Sequence, residues 1–514
     1  MPTLSFPKFP VWAGSQRVQL EVNWSEMSPN SAAIVAFSVV YNCFLSPLAN
    51  IPGPFLAKIS PLWLMRAVWR RRLNQDIKSL HDRYGPVVRL SPSELSFASI
   101  RAQEDIHCHQ SSQRRHFTKA ETLESLMGDI VWPAPNLLTT TAPAEHARLK
   151  RALQPAFTQR ALADQEAIQQ RHVDDMVARL RHEISARAST TLDLSPFLSR
   201  AIWHIISDLS FGEPMLQDQL EKFELLKTVF CKLSPILEGL QCVLAIPVLG
   251  FILRTTVVLL CKVLWMPSDV LPSSRLRDRI QRQDNQRDFI TAILECAEKG
   301  VQLSDLEMKS NASLLVMVGY DTTATSLSAA FHLLLRHPEY LSRLRDELRT
   351  RFGCSADMTN SRLSTLPLLN GCIQETLRLL PPANGKGTNR TSPGAAIAGV
   401  QVPAGVLVSA DMYTIQRSAD YWRHPDEYRP ERWFEGGEFD GDNKSAQRPF
   451  LLGSRMCVGR AVAMQALRIA IAKVVYAFEL ADAEPEYLWE RHVQSSYLWI
   501  GYRVQATLSE LETV

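Results

Sequence analysis

The chain has 514 residues, enough for two or three ordinary domains or one large one. With 46% hydrophobic and 21% charged residues it has the make-up of a folded globular protein, and a net charge of +3 is too small to indicate nucleic acid as a partner. Nine cysteines, odd in number and scattered from Cys43 to Cys457 without CxxC pairs, argue for reduced thiols facing a cytosol and against a disulfide scaffold or a zinc site.

Residues 1–30 carry no usable periodicity. Ala32–Leu48 is then mostly apolar, with Asn42 its most polar member and Pro47 near its end; this is the low end of the length a membrane-spanning helix needs. It lies too far from the terminus, and lacks a small-residue cleavage site, to be a signal peptide. On the residues alone it is either a membrane anchor or a buried or interfacial helix. Ile51-Pro52-Gly53-Pro54 makes a stiff break, and Lys58, Arg66 and Arg70-Arg71-Arg72 come after it. A positive excess on that side would hold the main body on the cytoplasmic face of a membrane. On the anchor reading the expected organisation is an N-terminal segment 1–30, a membrane anchor 31–50 and the rest of the chain, 51–514, beyond it; that this remainder is one domain is what the family resemblance given below implies. The sequon Asn23-Trp24-Ser25 would then face the lumen.

Asp76–Tyr84 is helical in pattern, Gly85-Pro86 breaks it, and Val87–Pro92 and Glu94–Phe97 are short strands joined by a turn. Helices dominate the remainder of the chain, so the expected fold is mainly α with a small β portion. A basic helix opens at His146 and runs through Lys150 and Arg151 toward Phe157; it is either a solvated face or an anion-binding one. Leu240–Trp265 reads almost as a second membrane segment, but Pro247, Gly250, Arg254 and Lys262 interrupt it.

From Ser304 to His337 there is no proline, and one long helix is expected. At mid-length it carries Gly319, Asp321, Thr322 and Thr323, poorer helix formers than the Leu and Ala around them. A Thr322 hydroxyl can bond the Val318 carbonyl four residues back and bend the helix. Gly319 would leave space beside the opening, and Asp321 supplies an ionisable group, so water and protons could pass there. A kink with a capped polar cluster is the alternative. Further along the chain, Glu375 and Arg378 share a helix face at i, i+3 spacing, before Pro381-Pro382 closes the helix. Asn389-Arg390 precedes two strand-like pieces, Ile397–Val402 and Val406–Ala410, and Pro430-Glu431-Arg432-Trp433 brings a second arginine.

The last signal is Pro449–Gly459. Cys457 stands before a proline-free helical run, where unpaired N–H groups and the helix dipole favour thiolate over thiol. Gly453 and Gly459 would let a flat group approach the backbone, and Arg455 could pair with an acidic edge of that group. Taken alone, Cys457 is either a soft metal ligand or a buried cysteine at a loop–helix junction.

The run Phe450-x-x-Gly453-x-Arg455-x-Cys457-x-Gly459 matches the signature of the cytochrome P-450 family at every fixed position. The chain resembles that family from about Ile51 to Ser509 through four ordered motifs. Gly319–Thr323 is similar to its oxygen-activation motif, with Val318 where the family usually has Ala or Gly. Glu375-x-x-Arg378 and Pro430–Trp433 are similar to its Glu-x-x-Arg and Pro-Glu-Arg-(Phe/Trp) elements. The resemblance implies a single large catalytic domain holding heme b, with Cys457 as the axial thiolate to iron. It implies a buried triad of Glu375, Arg378 and Arg432 behind the heme, and oxygen handling by Gly319, Asp321 and Thr322. His146 and Lys150 stand where the family commonly has Trp and Arg for heme propionates, and Arg390 where it often has a further arginine. Asp208–Glu213 resembles a helix-to-loop junction of the family, and 240–265 its substrate-channel cap.

A heme-thiolate favours O–O cleavage, so the implied reaction is monooxygenation of an apolar small molecule with O2. The closest flavour is the microsomal class of filamentous fungi that tailors secondary metabolites. A separate NADPH–cytochrome reductase is the expected partner, and the endoplasmic reticulum membrane the expected location. Two rivals are a heme-thiolate isomerase or dehydratase, against which the intact Asp321-Thr322 argues, and a non-enzymatic heme sensor.

Overall fold

The computed structural model describes residues 9–13, 16–20, 31–108, 116–120, 132, 134–186, 191–225, 227–228, 276, 278–279, 281, 288–297, 303–384, 389–495 and 498–511. The sequon at Asn23 and the whole of the segment 240–265 lie outside them. At the N-terminal end, β1 (Phe9–Ala13) and β2 (Gln16–Leu20) pair as an antiparallel hairpin.

Helix α1 (Ser31–Val40) continues only into a π turn over Tyr41–Leu45, after which Ser46 is extended. No helix among the described residues is long and apolar enough to cross a membrane, so the expected anchor at 31–50 is not supported as a span. Ten α-helical residues and a five-residue turn rise about 22 Å at ~1.5 Å each, short of a hydrocarbon core of about 30 Å. Its end is also tied to the body. The fully buried Arg89 donates to the carbonyls of Asn42 at 2.9 Å and Leu48 at 3.2 Å, and Lys58 donates to the Ala49 carbonyl at 2.9 Å.

Helices α2 (Phe55–Ile59), α3 (Leu62–Trp69) and α4 (Leu73–Tyr84) lead to β3 (Val87–Ser91) and β4 (Glu94–Phe97). These strands belong to a five-stranded sheet in the order β3-β4-β8-β7-β5, built with β5 (Thr118–Lys119), β7 (Arg390–Ile397) and β8 (Val400–Ala410). Only β4–β8 is parallel. The two expected strand pieces near 400 divide elsewhere: Ala398 and Gly399, both at positive φ, make the turn, and β8 runs unbroken through Pro403. The ladder shifts register between Thr391 and Pro393, and Pro403 is not one of its paired residues, so no N–H is required of it. Strands β6 (Thr191–Asp193), β9 (Phe478–Asp482) and β12 (Gln505–Glu510) form a second sheet in the order β6-β12-β9, and β10 (Gln494–Ser495) pairs with β11 (Trp499–Ile500).

The body is helical. After α5 (Ile100–His107) and α6 (Pro143–Leu153), α7 (Gln159–Ala186) and α8 (Ser195–Phe211) pack on one another, and α9 (Phe289–Ala297) packs against α8. At the centre lies α10, 32 residues over Asp305–Arg336, bounded as the sequence suggests by Ser304 and His337. The Ser304 hydroxyl accepts from the Glu307 N–H, and the Glu307 carboxylate accepts from the Ser304 N–H, a reciprocal box that fixes the start. Around α10 pack α8, α11 (Pro338–Arg351), α12 (Pro367–Leu379) and α13 (Arg460–Ala477). Most of α10 from Met308 to Leu335 is buried, so a break in that burial marks the site.

Candidate active site

Phe450 closes the stretch carrying Cys457: its carbonyl accepts the Cys457 N–H at 2.9 Å, and its ring, packed against the core, lies 5.8 Å from the Arg460 guanidinium. Gly453 starts a 3₁₀ turn, Gly453–Arg455, at φ +70. A Cβ there would run into the carbonyl oxygen of His107 at the end of α5. Gly453 thus brings two stretches of this chain's own backbone together. Gly453→Ala should therefore cost about 2 kcal/mol or more, from backbone strain plus the clash, with unfolding in denaturant as the measurement.

Gly459 carries no such close contact. It has ordinary φ, and a Cβ would sit 3.9 Å from the Cys457 sulfur, which is normal contact. What Gly459 supplies is its N–H. Burial pushes the Cys457 thiol up, while the N–H groups of Gly459 and Arg460 and the charges of Arg460 and Lys150 pull it back down. The sulfur is reachable from outside although protein surrounds it closely, so it faces a recess. Among the described residues no three His, Cys, Asp or Glu could hold a metal ion together. An iron at Cys457 would have to bring its other ligands with it, as a tetrapyrrole does.

A tetrapyrrole also brings carboxylates, and the cations present suit them. Lys119 and Arg390 stand directly opposite one another on β5 and β7, and both are buried. Lys119 also donates to the Leu138 carbonyl and Arg390 to the Asn389 carbonyl at 3.1 Å, and as cations both suit a carboxylate as well. Lys150 donates to the Ser454 carbonyl at 2.7 Å, and Arg455 to the carbonyls of Thr140 at 2.9 Å and Thr141 at 3.2 Å. Both cations therefore brace the cysteine loop against α6 and the residues before it. His146 is buried among all four: burial first, then Arg455, Lys150, Lys119 and Arg390, push it down to about 4. At this value the ring favours its neutral form near pH 7, while a carboxylate added among these cations would favour the charged one. His107 is likewise neutral, pushed down to about 3 by burial and by Arg390. Lys119 had no motif to announce it; its role comes from strand register alone.

On α10, Val318 is 38% exposed inside an otherwise buried stretch. The Thr322 hydroxyl bonds the Val318 carbonyl at 2.6 Å, as its spacing suggests, and Ser326 repeats the pattern on the Thr322 carbonyl at 2.8 Å. Gly319 does not widen this opening. A Cβ on it would meet the Ile206 side chain of α8 at 3.2–3.3 Å, so the glycine lets the two helices approach. Asp321 points away from Thr322 into the protein, where its carboxylate lies 2.5 Å from the Lys227 ammonium. Burial pushes the Asp321 carboxyl up, and Lys227 pulls it back.

Behind the loop, Glu375 and Arg378 form a bidentate pair at 2.7 and 2.8 Å, and Arg432 donates to the same carboxylate at 3.0 Å. All three are fully buried. The Arg429 N–H and the Trp433 indole N–H also donate to Glu375, at 3.0 and 3.1 Å. A fourth member, Asp442, accepts from Arg432 at 2.5 Å. Two arginines against one buried glutamate leave a net positive charge, and Asp442 neutralises it. That count could have signalled a fourth group from sequence, though not which one. Arg378 also donates to the carbonyls of Gln416, Pro425 and Glu427. The Gln416 side chain accepts the Arg448 N–H at 3.3 Å, and Gln447 donates to the Gln374 carbonyl at 2.8 Å, which carries the bracing into the cysteine loop.

The family profile described as Cytochrome P450 matches residues 52–494. The chain is 58% identical to cytochrome P450 monooxygenase btcB of Colletotrichum orbiculare, over 91% of this chain and 90% of that protein. It is 43% identical to cytochrome P450 monooxygenase FUP2 of Fusarium proliferatum, over 92% and 94%. It is 36% identical to sesterfisheric acid synthase of Neosartorya fischeri, again over 92% and 94%. With a reachable cysteine before α13, a cation cluster suited to carboxylates and an opening in α10 at Val318–Thr322, the chain belongs to the cytochrome P450 family and is a monooxygenase, an oxidoreductase.

Proposed function

We propose that this monooxygenase oxidises an apolar small molecule of fungal secondary metabolism (a terpenoid, polyketide or alkaloid) with electrons from a separate NADPH–cytochrome reductase. The observation that carries the substrate class is the exposed Val318 beside Thr322, the one exposed residue of α10 between Met308 and Leu335 and an apolar one. A relative named for the synthesis of an organic acid supports the metabolic setting. The bound group is heme b with Cys457 as its thiolate, and it supplies oxygen activation. Lys119, Lys150, Arg390 and Arg455 would receive its carboxylates. Thr322 positions its hydroxyl at the opening through the bond to Val318, and Asp321, the preceding residue, is the acid of the pair.

The body would rest on the cytoplasmic face of the endoplasmic reticulum membrane. Phe37, Phe44, Leu45, Phe55, Leu62 and Trp69 are all exposed, with Lys58, Arg66, Arg70 and Arg72 among them. Apolar side chains interleaved with cations suit an anionic bilayer surface.

Reconstitution tests the reading. The chain, expressed with heme and mixed with an NADPH–cytochrome reductase and an extract of candidate metabolites, should consume NADPH and O2 with formation of an oxygenated product. Turnover of a hydroperoxide without reductase, and no NADPH-driven oxygenation when reductase is present, would make the enzyme an isomerase instead.

A further inference from the structure

We propose that the cleft between α7 and α8 lined by His172, Arg179, Arg200 and His204 binds a compact, doubly charged oxyanion, phosphate or a phosphate monoester. The site uses none of the residues assigned above to heme or oxygen, and it does not depend on the monooxygenase reading. The two helices run antiparallel: His172 of α7 meets Asp208 of α8, and further along α7 Arg179 meets Arg200, which comes earlier on α8. Arg200, His204 and Asp208, spaced four apart, line one face of α8. At the Asp208 end charge is balanced. The fully buried Asp208 carboxylate accepts from Arg171 and from His172 Nε2, the latter at 2.8 Å. At the Arg200 end it is not. The charge that bears on Arg200 is that of Arg179, and no carboxylate among the described residues offsets it. Arg200 Nε is enclosed by protein and has no hydrogen-bond partner. Between the two ends the His204 ring lies 5.6 Å from that of His172. His172 is only 4% exposed, and its Nδ1 likewise has no hydrogen-bond partner.

A buried donor left without a partner is costly, and so is a cation facing a second cation. The acid that reaches this end is Asp175, 4.0 Å from His172 Nδ1, but 61% of its side chain is exposed and water screens it. Burial, then His172, Arg200 and Arg179, push His204 down to about 4, and Asp175 acts the other way with the smallest effect. Burial and Arg179 likewise make the Arg200 cation less favourable. An anion seated between the two guanidinium groups would reverse both effects and give Arg200 Nε an acceptor. Two unpaired arginines beside a ring that can take up a proton call for more than one negative charge. A guanidinium fork matches phosphoryl oxygens with parallel N–H bonds, which favours phosphate over a lone carboxylate. Helix α8 also carries Ser199, bonded to Tyr320, and Ile206 beside Gly319. An occupant therefore ties α7 to the helix on which α10 rests.

The test titrates the full chain, with heme, with inorganic phosphate in a calorimeter at constant ionic strength set by chloride. The wild type should bind phosphate saturably at one site. Arg200→Gln should weaken that binding about tenfold or more, the loss of one hydrogen-bonded charge partner, with the ferrous carbon monoxide spectrum unchanged. Arg179→Gln, at an exposed position on the same cleft, should do the same. Arg200→Lys should keep part of the affinity, because lysine retains the charge but not the fork. If Arg200→Gln does not fold, Arg179→Gln decides. Vesicles of phosphatidylcholine with and without phosphatidic acid separate the sources of the phosphoryl group. Binding to phosphatidic acid that Arg179→Gln weakens, without binding of free phosphate, makes the ligand a lipid headgroup; saturable binding of free phosphate makes it a soluble one. Phosphate affinity equal in the wild type and in every variant that folds would overturn the proposal. So would no saturable phosphate binding together with vesicle binding indifferent to Arg179, and the cleft would then be a solvated basic face.

Discussion

Replacing Cys457 by serine should abolish the thiolate-type spectrum of the ferrous carbon monoxide complex and lower NADPH-coupled turnover by about a thousandfold or more, equivalent to ~4 kcal/mol of barrier. A serine hydroxyl keeps the size of the side chain but offers a hard oxygen that stays protonated. The N–H groups of Gly459 and Arg460, which pull the thiol toward its ionised form, would have no thiolate to stabilise. The variant should still fold, because the buried charge network and the helices around α10 do not use the sulfur. Survival of the thiolate spectrum would mean that another cysteine is the ligand. Among the described cysteines the rival is Cys108, whose Cα lies 3.3 Å from where a Cβ on Gly453 would project, and which is exposed. Cys108→Ser should leave the spectrum as it is.

Glu375→Gln should lower stability by roughly 3–5 kcal/mol, the usual cost of removing one partner from a buried ion network. The glutamine keeps hydrogen bonds but loses the charge that faces both Arg378 and Arg432, each fully buried. Asp442 would then balance one arginine, leaving the other uncompensated. The path from Arg378 through Gln416 to the Arg448 N–H predicts a second consequence, loss of heme retention, because the loop bearing Cys457 would no longer be braced. Denaturant midpoints and heme content measured on the same preparation check both. A loss below about 1 kcal/mol would mean that water screens the network and that its role is not architectural.

Much of this was legible in the chain because it depends on neighbours in sequence. Ser304 and Glu307 cap α10 through groups three residues apart, Thr322 reaches the carbonyl four residues back, and Glu375 pairs with Arg378 at i, i+3. The turn at Gly453 and the helix after Gly459 are likewise local, so Cys457 could be placed from its own flanks. The apolar run at 32–48 was misleading for the complementary reason. Hydropathy sees no difference between lipid and a protein surface, and Arg89, some forty residues on, decides that this run ends against the sheet.

Charge state was beyond sequence altogether. His146 is pushed toward its neutral form first because burial denies it water, and then because Arg455, Lys119 and Arg390 arrive from three other segments to join Lys150 of its own helix. Lys119 faces Arg390 only through strand register, and Asp321 meets Lys227 only because a segment nearly a hundred residues away packs over α10. Capping, helix spacing and the cysteine loop are set within a few residues, where backbone geometry fixes distances. Pairing, burial and the resulting protonation depend on Coulomb and desolvation terms whose distances exist only once remote segments have packed.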